Sequence, residues 1–235
     1  MGLPIQKAPK HRCKLSDGTE VTFRPFLVKE QKYLLVARES ESPTEIIGAI
    51  KNLIHAVTEG TVDADKLPIF DVEYLFLQIR AKSVGESVDV RLFCQNIDCG
   101  SNSETKVDLS KVKVKFPERK VDNKVELTET LGVTLRHPTA KKIAEADSNE
   151  DDQDKLIQLL AIGLETIYDE ETVYNADEIS DSDLIEFVES LTMPQVEKLQ
   201  AFFENTPALQ EDIDWTCSSC GMEQTTTVKG LQNFF

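Results

Sequence analysis

Two cysteine pairs, Cys94 with Cys99 and Cys217 with Cys220, constrain this chain more than any other feature. In each pair the second cysteine is followed by glycine, Gly100 and Gly221. A metal knuckle needs that arrangement. The backbone must turn sharply so that both thiolates face one ion and amide N–H groups point at the sulfurs, and glycine accepts the turn. The flanks repeat as well. Val90-Arg91-Leu92-Phe93 runs into the first pair and Ile213-Asp214-Trp215-Thr216 into the second, both alternating and both with an aromatic residue close to the cysteine. Glu104–Leu109 follows the first pair, Gln224–Val228 follows the second, and Val107 and Val228 stand at the same offset from their glycine-linked cysteine.

The chain therefore carries one strand–knuckle–strand unit twice. Two such hairpins facing each other make a zinc ribbon, with four thiolates in a tetrahedron. The expectation is one structural zinc per chain, held by Cys94, Cys99, Cys217 and Cys220. Four cysteine ligands leave no open coordination position, so such a metal is structural and not a Lewis acid. The competing reading is a set of buried thiols without metal, or two unconnected hairpins. The pairs are more than a hundred residues apart, so the intervening chain reads as an insertion whose ends the metal pins. Closing such a loop costs several kcal/mol of chain entropy. Structural zinc binding, on the order of 10 kcal/mol or more, can offset it.

Composition narrows the function classes. The five cysteines are an odd number, and the N-terminal stretch has no apolar signal-like run, which fits a reducing cytoplasm where closely spaced cysteines are metal ligands more often than disulfides. Cys13 is left over and reads as a small buried apolar residue. No apolar run approaches the roughly 20 residues of a membrane span. The formal net charge of -16 opposes nucleic-acid binding. The basic stretches Lys7–Arg12 and Lys111, Lys113, Lys115 lack interleaved aromatic residues and read as solvated surface. His11, His55 and His137 do not converge in sequence, and no phosphate loop, nucleophile elbow, zinc-protease or dinucleotide motif is present. The acidic runs Asp147–Asp154 and Asp169–Glu171 read as solvated loop charge. No catalytic or other cofactor-binding residue is motivated, and the chain is read as not an enzyme.

Along the chain, Cys13–Leu15 and Glu20–Arg24 flank an Asp17-Gly18 turn and predict a hairpin. Helical spacing follows over 27–39, from Pro43 (behind a Ser42 cap) to Val57, and over 67–83, the last strongly apolar. Short strands are expected at Val125–Leu127 and Val133–Leu135, and residues 139–205 read as helical, with Ser180 or Asp181 and Thr192 as caps. The 235 residues thus predict an α+β protein: a mainly helical body, an N-terminal β-hairpin and a small zinc-ribbon-like β part. Three regions are expected: residues 1–86 as hairpin plus helices; 87–116 with 211–235 as a discontinuous ribbon part; and 117–210 as short strands then helices. The chain ends on Phe234 and Phe235, which must pack into the core or dock on a partner.

Several stretches together carry a resemblance. They are Met1-Gly2-Leu3-Pro4, the segment Phe23-Arg24-Pro25-Phe26-Leu27-Val28-Lys29-Glu30 with Tyr33-Leu34-Leu35 and Glu39-Ser40, the two knuckles, and Gly230-Leu231-Gln232-Asn233-Phe234-Phe235. As a set they resemble the baseplate hub subunit and hub-assembly protein family of T4-like contractile-tailed bacteriophages, over essentially the whole chain. The resemblance implies a structural or assembly protein of the baseplate hub. Such a protein is made in the host cytoplasm, either stays in the virion baseplate or acts only during assembly, and works through contacts with other phage baseplate hub proteins. It carries over no catalytic residue and does not set the oligomeric state. The alternative class is a zinc-ribbon nucleic-acid-binding or transcription-related factor. Against it, the knuckle loops hold Gln95, Asn96, Ile97, Asp98, Ser218 and Ser219 in place of basic or aromatic residues.

Overall fold

The computed structural model describes residues 8–40, 43–117, 122–146 and 152–231. Phe234, Phe235 and the Ser42 cap lie outside the described residues. The chain opens with strands β1 (His11–Lys14) and β2 (Glu20–Phe23), followed by helices α1 (Val28–Ser40), α2 (Pro43–Val57) and α3 (Ile69–Ser83). Next come β3 (Ser87–Phe93), β4 (Asn102–Asp108), β5 (Lys113–Lys115), β6 (Lys124–Glu126) and β7 (Gly132–Leu135). Helices α4 (Ala140–Ala146) and α5 (Asp152–Ile162) precede β8 (Leu164–Tyr168) and β9 (Val173–Asn175). Helices α6 (Asp181–Glu189) and α7 (Met193–Glu204) lead to β10 (Ala208–Thr216) and β11 (Glu223–Lys229).

These elements form two compact units. The first comprises Met1–Ala64, Phe70–Lys115 and Ala208–Phe235; the second comprises Asp65–Ile69 and Phe116–Pro207. None of the described helices is long and apolar enough to cross a membrane.

In the first unit, β1 and β2 pair antiparallel across the expected turn, where the Asp17 carboxylate accepts the amide and hydroxyl of Thr19 at 2.8 Å each. Helix α3 supports that turn, because the buried Asp71 carboxylate accepts the Ser16 amide at 3.0 Å and its hydroxyl at 2.6 Å. Leu75, Leu77 and Ile79 of α3 are all fully buried, so the helix is apolar on more than one face. Leu77 and Ala81 join Val90, Leu92, Val107, Ile213, Trp215 and Val228 in one core beneath the cysteine hairpins.

One ion pair organises the N-terminal part. The Arg24 guanidinium meets both oxygens of the buried Glu30 carboxylate, at 2.8 and 3.2 Å, and also donates to the Ala56 carbonyl at 3.3 Å. Glu30 caps the start of α1 by accepting the Leu27 amide at 2.5 Å, and the Arg24 amide donates to Val57 at 3.1 Å. The hairpin exit, the start of α1 and the end of α2 therefore meet at one charge-assisted cluster. Burial pushes the Glu30 carboxyl up, but Arg24 and the Leu27 amide outweigh it and hold the group below the usual carboxylate range.

The second unit corrects the expectation of a mainly helical body. The described residues of the whole chain contain eleven strands in four sheets beside seven α-helices. In the four-stranded sheet of order β6-β7-β8-β9, β6 and β7 fall where short strands were expected, but β8 and β9 lie within the region read as helices. Leu156, Leu159, Leu160, Gly163, Leu164 and Ile167 keep helical spacing in sequence, but the helix stops at Gly163. A Cβ there would lie 2.2 Å from Cζ of Phe203, so only glycine fits under that ring. Beyond it, Leu164 and Ile167 become strand residues paired with Leu135 and Val133 of β7. The β-branched and aromatic residues Thr166, Ile167, Tyr168, Val173 and Tyr174 suit a pleated surface, and β7 needs a second partner for its backbone groups. The flanking helices follow the sequence signals. Ser180 caps α6 by accepting the Asp183 amide at 3.2 Å. Gln195 accepts the Thr192 amide at 2.8 Å and donates to the Leu127 carbonyl at 3.1 Å, tying α7 to the sheet side of the unit.

Glu30→Gln is expected to destabilise the protein by about 3 kcal/mol in chemical denaturation, since Arg24 keeps a largely buried charge without its counterion. The depressed carboxyl also fixes the sign with pH. Its contribution is full at neutral pH and is lost as the pH falls through the folded-state value, so the gap between wild type and variant should narrow in acid.

Candidate metal centre

The cysteine hairpins β3–β4 and β10–β11 both belong to the first unit. Each is an antiparallel ladder that ends at a knuckle, with Phe93 opposite Asn102 in one and Thr216 opposite Glu223 in the other. The knuckles close by the same bond. The Cys94 amide donates to the Ser101 carbonyl at 2.8 Å, and the Cys217 amide to the Met222 carbonyl at 2.9 Å. Gly100 and Gly221 take positive φ, 55° and 71°. Open space surrounds the position of a Cβ at either residue, so glycine is required there for its backbone angle and not for room.

The structure brings Cys94, Cys99, Cys217 and Cys220 together, with all four sulfurs within 4.8 Å of one another. Cys94 Sγ lies 3.7 Å from Cys220 Sγ, and Cys99 Sγ lies 3.8 Å from Cys217 Sγ. Each of these contacts joins one hairpin to the other, so the hairpins share a single cluster. A regular tetrahedron with zinc–sulfur bonds of about 2.3 Å has sulfur–sulfur edges of about 3.8 Å. The two contacts between the hairpins stand at that edge length, and the whole set, within 4.8 Å, is close enough to hold one ion.

The polar surroundings favour the thiolate at Cys99 and Cys217. Ser101 Oγ lies 3.0 Å from Cys99 Sγ and 3.3 Å from Cys217 Sγ. The Ser101 hydroxyl, with the Cys220 and Ser219 amides, pulls the Cys217 thiol down to about 5. Ser101, through hydroxyl and amide, lowers Cys99 as well. At Cys220 the Met222 amide favours the thiolate, but burial and the adjoining sulfurs of Cys94, Cys217 and Cys99 outweigh it and raise the group to about 11. Gln224 Nε2 reaches Cys94 Sγ at 3.5 Å. Four sulfurs this close cannot all carry charge unless a cation sits among them, because like charges in contact repel strongly. The donors aimed at them suit that cation-bound state.

Other bonds hold the two knuckles in register. The Gln95 amide donates to Gln224 Oε1 at 2.8 Å, and the Ser218 amide to Ser103 Oγ at 3.1 Å. The sequence reading did not single out Ser101, Ser103 or Gln224. The strand alternation held a usable signal for Ser103, which takes a buried position where an apolar residue would be ordinary. Cys13 stands apart from the cluster, its thiol raised to about 11 by burial and by the Asp71 charge. The histidines are also elsewhere. His11 packs on Phe23 with ring centroids 5.9 Å apart, and His137 stacks on Phe202 at 4.8 Å, where burial lowers its pKa.

Fold and site together define an α+β protein whose two β-hairpins meet at a four-sulfur cluster. The chain belongs to the family described as T4 bacteriophage base plate protein, whose model matches residues 8–235. No match was found among curated proteins or among solved structures.

Gly100→Ala and Gly221→Ala are each expected to cost about 1 kcal/mol in urea unfolding, the strain of an L side chain at positive φ. Asparagine at the same positions should cost less, since it tolerates that region better.

Proposed function

We propose that the chain is a structural or assembly component of the phage baseplate hub, working by protein–protein contacts and held together by one structural zinc on Cys94, Cys99, Cys217 and Cys220. The observation that carries this reading is the family match, which spans residues 8–235 and therefore includes both hairpins and both units. The hub assignment within the base plate rests on the terminal and knuckle motifs described above.

The zinc assignment rests on chemistry. Four soft thiolate ligands at tetrahedral spacing suit zinc, or iron bound in the same way. A complete sulfur shell leaves no position for substrate or an activated water, so the metal's role is to fold the knuckles and to fix one hairpin against the other. The protein is accordingly proposed not to be an enzyme. Its partners are other baseplate hub proteins, met in the host cytoplasm during assembly and, if it is retained, in the virion baseplate. The net charge of -16 and knuckle loops without basic residues favour protein partners over nucleic acid.

Metal analysis of the purified protein should find about one zinc per chain, and Cys220→Ser should lower solubility and melting temperature because a lost ligand removes folding free energy. Iron in place of zinc would correct the metal, and a metal-free, fully folded protein would remove the site altogether. For the hub role, mass spectrometry of purified particles and of hub assembly intermediates should find this chain in one or both. Its absence from both would overturn the assignment.

A further inference from the structure

The duplicated unit supplies its own standard for what a knuckle needs. Counted back from their glycines, the two turns match. Ile97, Asp98 and Cys99 in the first stand where Ser218, Ser219 and Cys220 stand in the second. The first turn closes on the Asn96 carbonyl, which accepts the Cys99 and Gly100 amides at 3.0 and 3.3 Å, and the second on the Cys217 carbonyl, which accepts the Gly221 amide at 2.9 Å. Phe93 ends β3 where Thr216 ends β10. Beyond the glycines, Met222 stands in the place of Ser101, and each of these carbonyls closes its knuckle. At all three places one repeat holds a large apolar residue and the other a small polar one. Ile97 is 98% exposed, Phe93 70% and Met222 43%.

The polar counterparts show that the apolar residues are not needed locally. Ser218 makes the same turn as Ile97 and also bonds Ser103 of the other hairpin. Turns favour serine, asparagine and aspartate, each for its side-chain hydrogen bond, and a β-branched isoleucine brings none. A lone exposed apolar residue is ordinary. Here three gather at the end where the sulfurs join the two hairpins, and each is dispensable to its own repeat.

Shape and charge select what covers this end. A side chain as exposed as Ile97 has no flank of its own chain to pack on, so only a concave surface can bury it. Residues 92–103 and 215–225 contain no lysine or arginine, and their charged side chains are the exposed Asp98 and Glu223. Four thiolates outweigh one divalent ion, so a metal-bound cluster adds negative charge at the same end. A second copy would bring the same carboxylates on a chain of net charge -16, which opposes self-association. A pocket rimmed by lysine or arginine is attracted instead.

We propose that the knuckle end is a docking tip for another protein: Ile97 enters an apolar pocket on the partner, Phe93 and Met222 cover the margin of that pocket, and Asp98 and Glu223 meet basic residues on its rim. A central apolar anchor inside a polar rim is the arrangement that gives an interface most of its energy. The inference rests on the proposed assembly role for the identity of the partner, another base plate protein.

The probes are the other base plate proteins of the same phage, each purified singly and titrated against the full-length, zinc-loaded chain by biolayer interferometry. At least one is expected to bind. Ile97→Ser, the residue type of the second knuckle, should weaken that complex at least tenfold. Asp98→Lys should weaken it at least threefold at low ionic strength and less at high, because salt screens exposed charges. Ile97→Ser should keep the zinc content and melting temperature of the wild type, since a fully exposed position away from the core tolerates change. Four results would each overturn the tip: no base plate protein binds, the Ile97→Ser complex is as tight as the parent, Ile97→Ser loses zinc, or sedimentation shows a self-association that Ile97→Ser abolishes. Particle mass spectrometry separates the two claims. A chain found in hub intermediates whose Ile97→Ser variant binds unchanged loses the tip and keeps its assembly role. A chain absent from particles and intermediates loses the role, while a base plate protein that still binds it through Ile97 keeps the tip.

Discussion

The contact between the two cysteine hairpins is the constraint on which the first unit depends. Cys99 and Cys217 are 118 positions apart and Cys94 and Cys220 are 126 apart, yet their sulfurs sit at contact distance. Fixing a loop of that length costs on the order of 4–5 kcal/mol of chain entropy. The sulfurs do not bear that cost alone. Lys113–Lys115 pairs with Ala208–Gln210, so residues 116–207 leave and rejoin the first unit on adjacent strands. Beneath the hairpins, Val107 and Val228, which hold equivalent places in the two repeats, are buried in the same core with Leu77 of α3 and Trp215 of β10. The insertion is therefore closed by a β-ladder, by a shared core and by the four sulfurs together.

This distribution changes how a metal would act. A zinc that alone closed the loop would decide between a folded and an unfolded chain. With the β5–β10 ladder and the core already joining the ends, a metal would instead set how the knuckles meet. The direct bonds that cross between the hairpins lie near the sulfurs, at Gln95–Gln224 and Ser103–Ser218.

Much of this was legible in the sequence. The hairpin at Asp17-Gly18, the three N-terminal helices, the strands around both knuckles and the caps at Ser180 and Thr192 all follow local signals: turn chemistry, periodicity and side-chain capping. The four cysteines were legible as well, because their glycines and flanks repeat. The ion pair of Arg24 and Glu30 gives a physical reason for one distinctive segment, since both residues sit where three elements meet. Strands β8 and β9 were not legible. Their apolar residues share helical spacing with α5, and only the packing of Phe203 on Gly163 and the need of β7 for a partner turn that stretch into sheet.

What the sequence determined by itself is local. Asp17-Gly18 turns, Gly100 and Gly221 allow the knuckles, and alternation makes the cysteine-bearing strands. What only the tertiary structure decided is pairing at long range. It set which sulfur meets which, that the Ser101 hydroxyl serves two of them, and that Leu164–Tyr168 and Val173–Asn175 pair as strands. The physical reason is that a turn or a cap draws its energy from neighbours in the chain. A strand edge or a shared sulfur cluster takes its partners from residues a hundred positions away, and these come together only when the core beneath them forms.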